Sequence, residues 1–314
     1  MRSRAAAGAA FATITAVTWG GQFVVGKSAL ESVNAFPLTT VRYAVAGALW
    51  LVVLAALEGR DALRPNGRGR RLLVLGTLGF AGFNLLAYTG LAHAQPQSAS
   101  LIVALAPLLT ALVLWRRTRV RPPASTFGFL AAALAGVFLV LSDGHPGRIV
   151  GGSVGWGDGL VLLGVFSFVL YALGAAQMPE LSPLRYTALS AAFGWLVIAA
   201  ATAVVLASGL VATPSAGELE AVAPELAYLA VPGAFVAVLT WNAAFGLIGP
   251  QNAVLFGNLI PVTTFAIEIV RGYRPGSLEA AGAVLTIGAL VASNLHARVS
   301  RAPAPETFEL PEAA

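Results

Sequence analysis

Neutral polar and aromatic side chains recur at helical spacing inside long apolar runs, and these residues are the ones equipped to do chemistry. Trp19, Gln22, Phe23 and Gly26 fall at i, i+3, i+4 and i+7, which puts them on one face of a helix. Phe80, Asn84 and Tyr88 form an i, i+4, i+8 stripe, and Ser167, Tyr171 and Gly174 form another. Trp241 and Asn242 lie in a later run, Ser98 and Asn252 open two more, and Asn258 sits near mid-run beside Pro261. The chemistry on offer is recognition. Aromatic faces hold an apolar side chain and attract an ammonium. Amides and hydroxyls hydrogen-bond the carboxylate and ammonium of a zwitterion. The competing use is packing, since Asn, Ser and Gln also join helices and aromatics also form interfacial belts. Asn84, Tyr88 and Trp19 combine depth, chemistry and periodicity and are the first choices for substrate contact. Trp195 reads as a packing or lipid-facing residue.

Charged and catalytic alternatives are thin. Nearly all acidic residues fall in loops or tails, with Asp158, Glu225 and Glu268 near the ends of apolar runs. A proton-coupled antiporter of cationic drugs needs a carboxylate at mid-membrane, and none is placed there. Lys27 either attracts a substrate carboxylate or extends toward the interface. Arg42 lies inside an apolar run, so its guanidinium needs an ion pair or a cluster of carbonyls before it can be assigned to a substrate. Glu268 and Arg271, at i and i+3, read as an interfacial ion pair. Gly151-Gly152-Ser153-Val154-Gly155 fits the G-x-S-x-G pattern, with His145 nearby. That pattern works only in a strand–turn–helix setting. A membrane-embedded serine hydrolase built on Ser153 is therefore the alternative from a different class. Gly155, Gly157 and Gly159 do not make a dinucleotide fingerprint. His93, His145 and His296 are too scattered for a metal site. No cofactor and no metal are expected. The absence of Cys excludes disulfides and thiolate ligands.

The elements that must position these residues follow from composition. The 314 residues are 57% hydrophobic and 11% charged, against roughly 25% charged in an ordinary soluble domain. A soluble protein of this size could not solvate its surface with so few charges, so an all-α integral membrane protein is expected. A nucleic-acid partner is excluded despite the net charge of +5, because the basic residues sit in short loops. Apolar runs bounded by charge, Pro or Gly predict ten spans, at 8–28, 36–57, 71–93, 97–115, 125–142, 156–177, 182–208, 224–247, 250–270 and 277–296. The first run is read as an uncleaved helix, because the small residues Ala5–Ala10 precede it where a cleavage site would follow it. With ten spans both termini share a side. Thirteen Lys and Arg lie on that side and four on the other, so both termini are expected in the cytoplasm, with the protein in the inner (plasma) membrane. The tail at 298–314 is polar and Pro-containing and is expected to be disordered.

The chain also repeats itself. Residues 96–110, PQSASLIVALAPLLT, align without a gap to 250–264, PQNAVLFGNLIPVTT. Ser125 and Gly136 match Ser277 and Gly288, Arg42-Tyr43 matches Arg185-Tyr186, and Phe23 with Gly26 matches Tyr171 with Gly174. Two five-span halves are expected, at 1–143 and 156–297, joined by an external loop at 144–155. Five is odd, so the second half enters the membrane from the opposite side. Such an inverted repeat gives two conformers of similar energy, open to opposite sides. Alternating access, and so a transporter, is the function that follows. Pro107 and Pro261 then read as matched hinges, with static kinks as the alternative. The Gly-rich spacing at Gly76–Gly79 and Gly128–Gly136 reads as close helix packing.

Trp19–Lys27 (WGGQFVVGK), Pro37 with Arg42-Tyr43, and Tyr88–Val113 (YTGLAHAQPQSASLIVALAPLLTALV) together resemble the EamA-type half-repeat of the drug/metabolite transporter superfamily. The resemblance runs from about residue 8 to 296, and within it the chain is similar to YddG-type amino acid exporters. It implies an inner-membrane permease exporting amino acids, aromatic or other neutral ones favoured, or related small metabolites. A nucleotide-sugar or other metabolite permease is the alternative, and it would need clustered Lys and Arg where only Lys27, Arg42 and Arg185 are candidates. The expected partners are a small-molecule solute and the lipid bilayer, and the chain is expected to act as a monomer.

Overall fold

The computed structural model describes residues 2–142 and 155–299. Ten of its helices are long and apolar enough to cross a membrane. They are α1 (Arg4–Leu30), α2 (Ala35–Glu58), α3 (Gly69–His93), α4 (Pro96–Thr118), α5 (Ala124–Ser142), α6 (Trp156–Ala175), α7 (Pro183–Ala207), α8 (Ala223–Ile248), α9 (Asn252–Val270) and α10 (Ser277–Ala297). All ten expected spans are present. α1 starts earlier than expected because the Ala-rich stretch at 5–10 extends the helix. The Ser153 motif with His145, most of the 144–155 loop and the tail from 300 lie outside the described residues.

Local chemistry sets the helix ends. Asn34 caps α2, its side chain accepting from the Phe36 N–H at 3.1 Å. Ser182 caps α7 by accepting from the Arg185 N–H at 3.0 Å, with Pro183 in the first turn. Gly249, at φ 77°, ends α8 just before Pro250. A short surface helix, Ala216–Ala221, opens on a capping box formed by Ser215 and Glu218. The Ser215 backbone N–H donates to the Glu218 carboxylate and holds its pKa below the usual carboxylate range.

The outer surface is apolar. Val52, Leu57, Val204, Val270 and Val284 are exposed by 65–88%, which suits lipid contact and no aqueous surface. Inside, α1 packs on α8 and α9, and α6 packs on α3 and α4. α2 packs on α7 and α8, α7 packs on α2 and α3, α5 packs on α10, and α4 packs on α9. These are the most extensive pairs, and adding five to every helix number returns the same set, whereas the slighter contacts of α1 with α3 and α4 and of α2 with α3 have no such counterpart among the described residues. Small residues make the contacts close. A Cβ on Gly136 would stand 2.7 Å from the Thr286 backbone N in α10, and one on Gly76 would stand 2.9 Å from the Gly194 N in α7. Gly128, by contrast, faces open space.

α3 and α8 are not regular. Each carries a π-helical stretch, Thr77–Gly82 in α3 and Leu229–Val236 in α8. Carried back from the Pro96/Pro250 match without a gap, 77–82 corresponds to 231–236. The two distortions therefore occupy the same place in the two halves. Pro232 contributes to the second, since it has no N–H to give the helix.

Candidate functional site

Four helices converge on Arg42. Its side chain is 2% exposed. Nε donates to the Leu229 carbonyl at 3.0 Å, Nη2 to Gln22 Oε1 at 3.0 Å, and Nη1 to Asn84 Oδ1 at 3.4 Å. These partners come from α8, α1 and α3. Aromatic rings flank the guanidinium, with the Tyr43 centroid at 5.1 Å and that of Tyr88 at 4.9 Å. Gly26 lets α1 approach, since a Cβ there would stand 3.0 Å from Tyr88 Cε1. At 1.5 Å per residue, Gln22, Arg42 and Asn84 lie about 10–14 Å from the ends of α1, α2 and α3 that share one face. Of the two expected environments for Arg42, the structure therefore shows the carbonyl cluster. The ion pairs among the described residues are Arg64–Asp61 and Arg68–Glu180. Glu268 and Arg271 do not pair, because Arg271 has left the helix as its C-cap.

The distorted part of α8 connects this cluster to a second one. Trp19 Nε1 donates to the Gly233 carbonyl at 3.1 Å. The Trp19 ring lies 5.4 Å from Trp241, which lies 4.9 Å from Phe245. The distortion in α3 is held in the matching way, with Ser167 Oγ of α6 donating to the Leu78 carbonyl at 2.8 Å. Beside it an aromatic wall runs from Tyr43 to Phe80 (5.6 Å), Tyr171 (5.4 Å) and Tyr186 (5.1 Å, stacked). The Tyr186 hydroxyl donates to the Tyr171 carbonyl at 2.8 Å. Trp195 Nε1 donates to the Thr40 carbonyl at 3.1 Å, joining α7 to α2.

α4 and α9 are each broken one turn or less before their proline. In α4 the helix lapses at Leu105, two residues before Pro107. In α9 it lapses at Asn258, three before Pro261. Phe23 and Ser98 are buried, and Phe23 packs in the apolar core that α1 shares with α4, α6 and α9. Asn258 is 6% exposed and its Nδ2 has no partner. Asn252 Nδ2 donates to the Ile248 carbonyl at 2.6 Å across the α8–α9 connection. Asn242 is half-buried beside Trp241. Lys27 Nζ donates to the Leu91 and Ala92 carbonyls at 3.0 and 2.8 Å, so it caps the end of α3. Arg185 Nη2 donates to the Arg64 carbonyl at 2.8 Å. The three cationic candidates thus have separate partner sets.

Of the residues singled out by type and spacing, Gln22, Asn84 and Tyr88 meet around Arg42. Trp19 meets Trp241, and Ser167 and Tyr171 meet the distorted part of α3. Ser98, Asn252 and Asn258 lie on α4 and α9 instead. Sequence reasoning missed two features. Gln97 is 1% exposed with neither amide atom partnered, and its one signal was the repeated Pro-Gln. Tyr43 was seen only as half of the repeated Arg-Tyr pair. A cleft of about 250 Å³ between α2 and α8 counts Arg42 among its lining and is otherwise apolar, bounded by Val41, Val45, Leu226, Ala230 and Val231 among others. No group of three His, Cys, Asp or Glu fit to hold a metal occurs among the described residues.

Comparison with known proteins adds the following. Residues 6–142 and 155–295 each match the EamA-like transporter family. The chain is 27% identical over 299 residues to the uncharacterized transporter YrdR of Bacillus subtilis (strain 168), covering 93% of this chain and 92% of that one. It is 30% identical over 259 residues to the uncharacterized transporter YyaM of the same organism, covering 81% and 83%. A protein of known crystal structure shares the fold with a TM-score of 0.64 at 22% identity, covering 93% of this chain and 99% of that one. Ten apolar helices and two successive matches to one family make the chain a multi-pass membrane transporter, and it belongs to the EamA-like transporter family.

Proposed function

We propose that this transporter exports amino acids, neutral and aromatic ones favoured, or closely related metabolites. It would do so by alternating access across the inner membrane, with both termini cytoplasmic. The observation that carries the reading is the Arg42 cluster. Amide, hydroxyl and aromatic groups from four helices meet about 10–14 Å inside the bundle, where a zwitterion needs polar contacts and its side chain needs apolar ones. The most extensive helix pairs, unchanged when the halves are exchanged, support two conformers of related packing. The breaks before Pro107 and Pro261 supply candidate hinges, one in each half. A nucleotide sugar fits less well, because Lys27 and Arg185 are engaged by their own carbonyls and do not join Arg42.

Uptake of radiolabelled phenylalanine, leucine and alanine into liposomes carrying the purified protein tests this reading, with empty liposomes and an imposed pH gradient as further arms. Saturable flux above the empty control is the expected result. No flux from folded protein across a broad amino acid panel would remove the substrate assignment and leave the family membership standing.

A further inference from the structure

Arg42 has three acceptors, and all three are neutral: a backbone carbonyl and two side-chain amides. No carboxylate pairs with it among the described residues. A guanidinium held away from water without an anion is costly, and charged groups at such depth mark sites of function. A second, independent observation lies beside it. Tyr88 is 4% exposed, its hydroxyl has no hydrogen-bond partner, and its ring is the one 4.9 Å from the guanidinium. Buried hydroxyls are nearly always bonded, so an unbonded one calls for a missing partner. An uncompensated cation and an unused O–H donor on adjoining side chains are completed by one kind of group, an anionic oxygen pair. Arg supplies forked donors that suit the planar geometry of a carboxylate.

We infer that Arg42 and the Tyr88 hydroxyl form a carboxylate subsite, with Tyr43 as the opposite wall. The inference deepens the amino acid reading and rests on it for the identity of the solute. In the state described here Gln22 and Asn84 occupy the guanidinium, and the solute carboxylate displaces at least one of them. The 3.4 Å bond to Asn84 is the longest of the three and the first to yield.

Tyr88→Phe is the sharp test, because it removes only an oxygen that has no partner in this structure. Folding should be unaffected. The measurement is the unfolding midpoint of delipidated protein in a neutral detergent, titrated with phenylacetate and separately with phenylacetamide. Wild type should be stabilised by the acid and not by the amide, and Tyr88→Phe should bind the acid about tenfold more weakly. Arg42→Met, tested alongside, should lose the preference for acid over amide, because the cation is gone. Equal stabilisation by acid and amide, or an unchanged affinity in Tyr88→Phe, would overturn the subsite. So would a shift given by phosphatidylglycerol and not by phenylacetate, which would assign the cation to a lipid phosphate. Absent phenylalanine flux with this binding intact would instead count against the amino acid reading alone.

Discussion

Replacing Arg42 with Met keeps a long apolar stem and removes the donors that tie α2 to α1, α3 and α8. Two of its hydrogen bonds are 3.0 Å long, to the Leu229 carbonyl and to Gln22 Oε1. The third, at 3.4 Å to Asn84, contributes little. Each stranded buried acceptor costs about 1.5 kcal/mol, so the substitution should destabilise by about 3 kcal/mol. Relief of the buried charge opposes this, but it wins only where donor and acceptors are replaced together by apolar groups. The Arg42→Met, Gln22→Leu double variant should therefore cost less than the sum of the two singles, by about 1 kcal/mol or more. Arg42→Lys should resemble Arg42→Met in stability, since a single ammonium cannot reach acceptors on three helices. The assay is reversible unfolding by SDS in mixed micelles, followed by Trp fluorescence. If Arg42→Met stays within about 0.5 kcal/mol of wild type, or if the double variant is additive, Arg42 does not organise these helices.

Three further outcomes follow from the same structure. Pro107→Ala with Pro261→Ala should restore helix across the breaks at Leu105 and Asn258 and lower the transport rate more than solute binding; an unchanged rate would remove the hinge assignment. Gly136→Val should cost about 1–3 kcal/mol by driving α5 off the α10 backbone, while Gly128→Val, facing open space, should cost almost nothing; equal effects would contradict the close approach. The lowered pKa of Glu218 means that its capping contribution is full above the usual carboxylate range and is lost as pH falls through the depressed value. Protection of the Ser215 amide from hydrogen exchange, corrected for the intrinsic rate, should fall over that acid window, and constant protection would refute the box.

The ten spans were legible because run length and hydropathy suffice to define a helix in lipid. The meeting of Gln22, Asn84 and Tyr88 was half legible. Each face could be read from its own i, i+4 spacing, but the pairing of α1 with α8 joins residues as far apart as Trp19 and Gly233, and no local pattern encodes that. Arg42 announced itself as a buried charge in need of an ion pair or of carbonyls, yet which of the two it finds, and its role as the hub, depend on the helices that surround it. The π-helical stretches of α3 and α8 were invisible, since one residue added per turn leaves hydropathy unchanged; Pro232 was the only local sign. Gln97 was missed because an amide at a helix start reads as facing water, and its burial arises from helices that pack over it.

The central claim is that a closed polar site near mid-bundle opens alternately to the two faces of the membrane. The chain has no Cys, so Asn84→Cys gives a single thiol at that site without background. Labelling by a membrane-impermeant maleimide, applied from each face of oriented vesicles in turn, measures access directly. Asn84 is 1% exposed in this conformer, so we expect slow labelling from both faces, slowed further by transported solute. Labelling from one face alone, in protein that still moves solute, would contradict alternating access at this site.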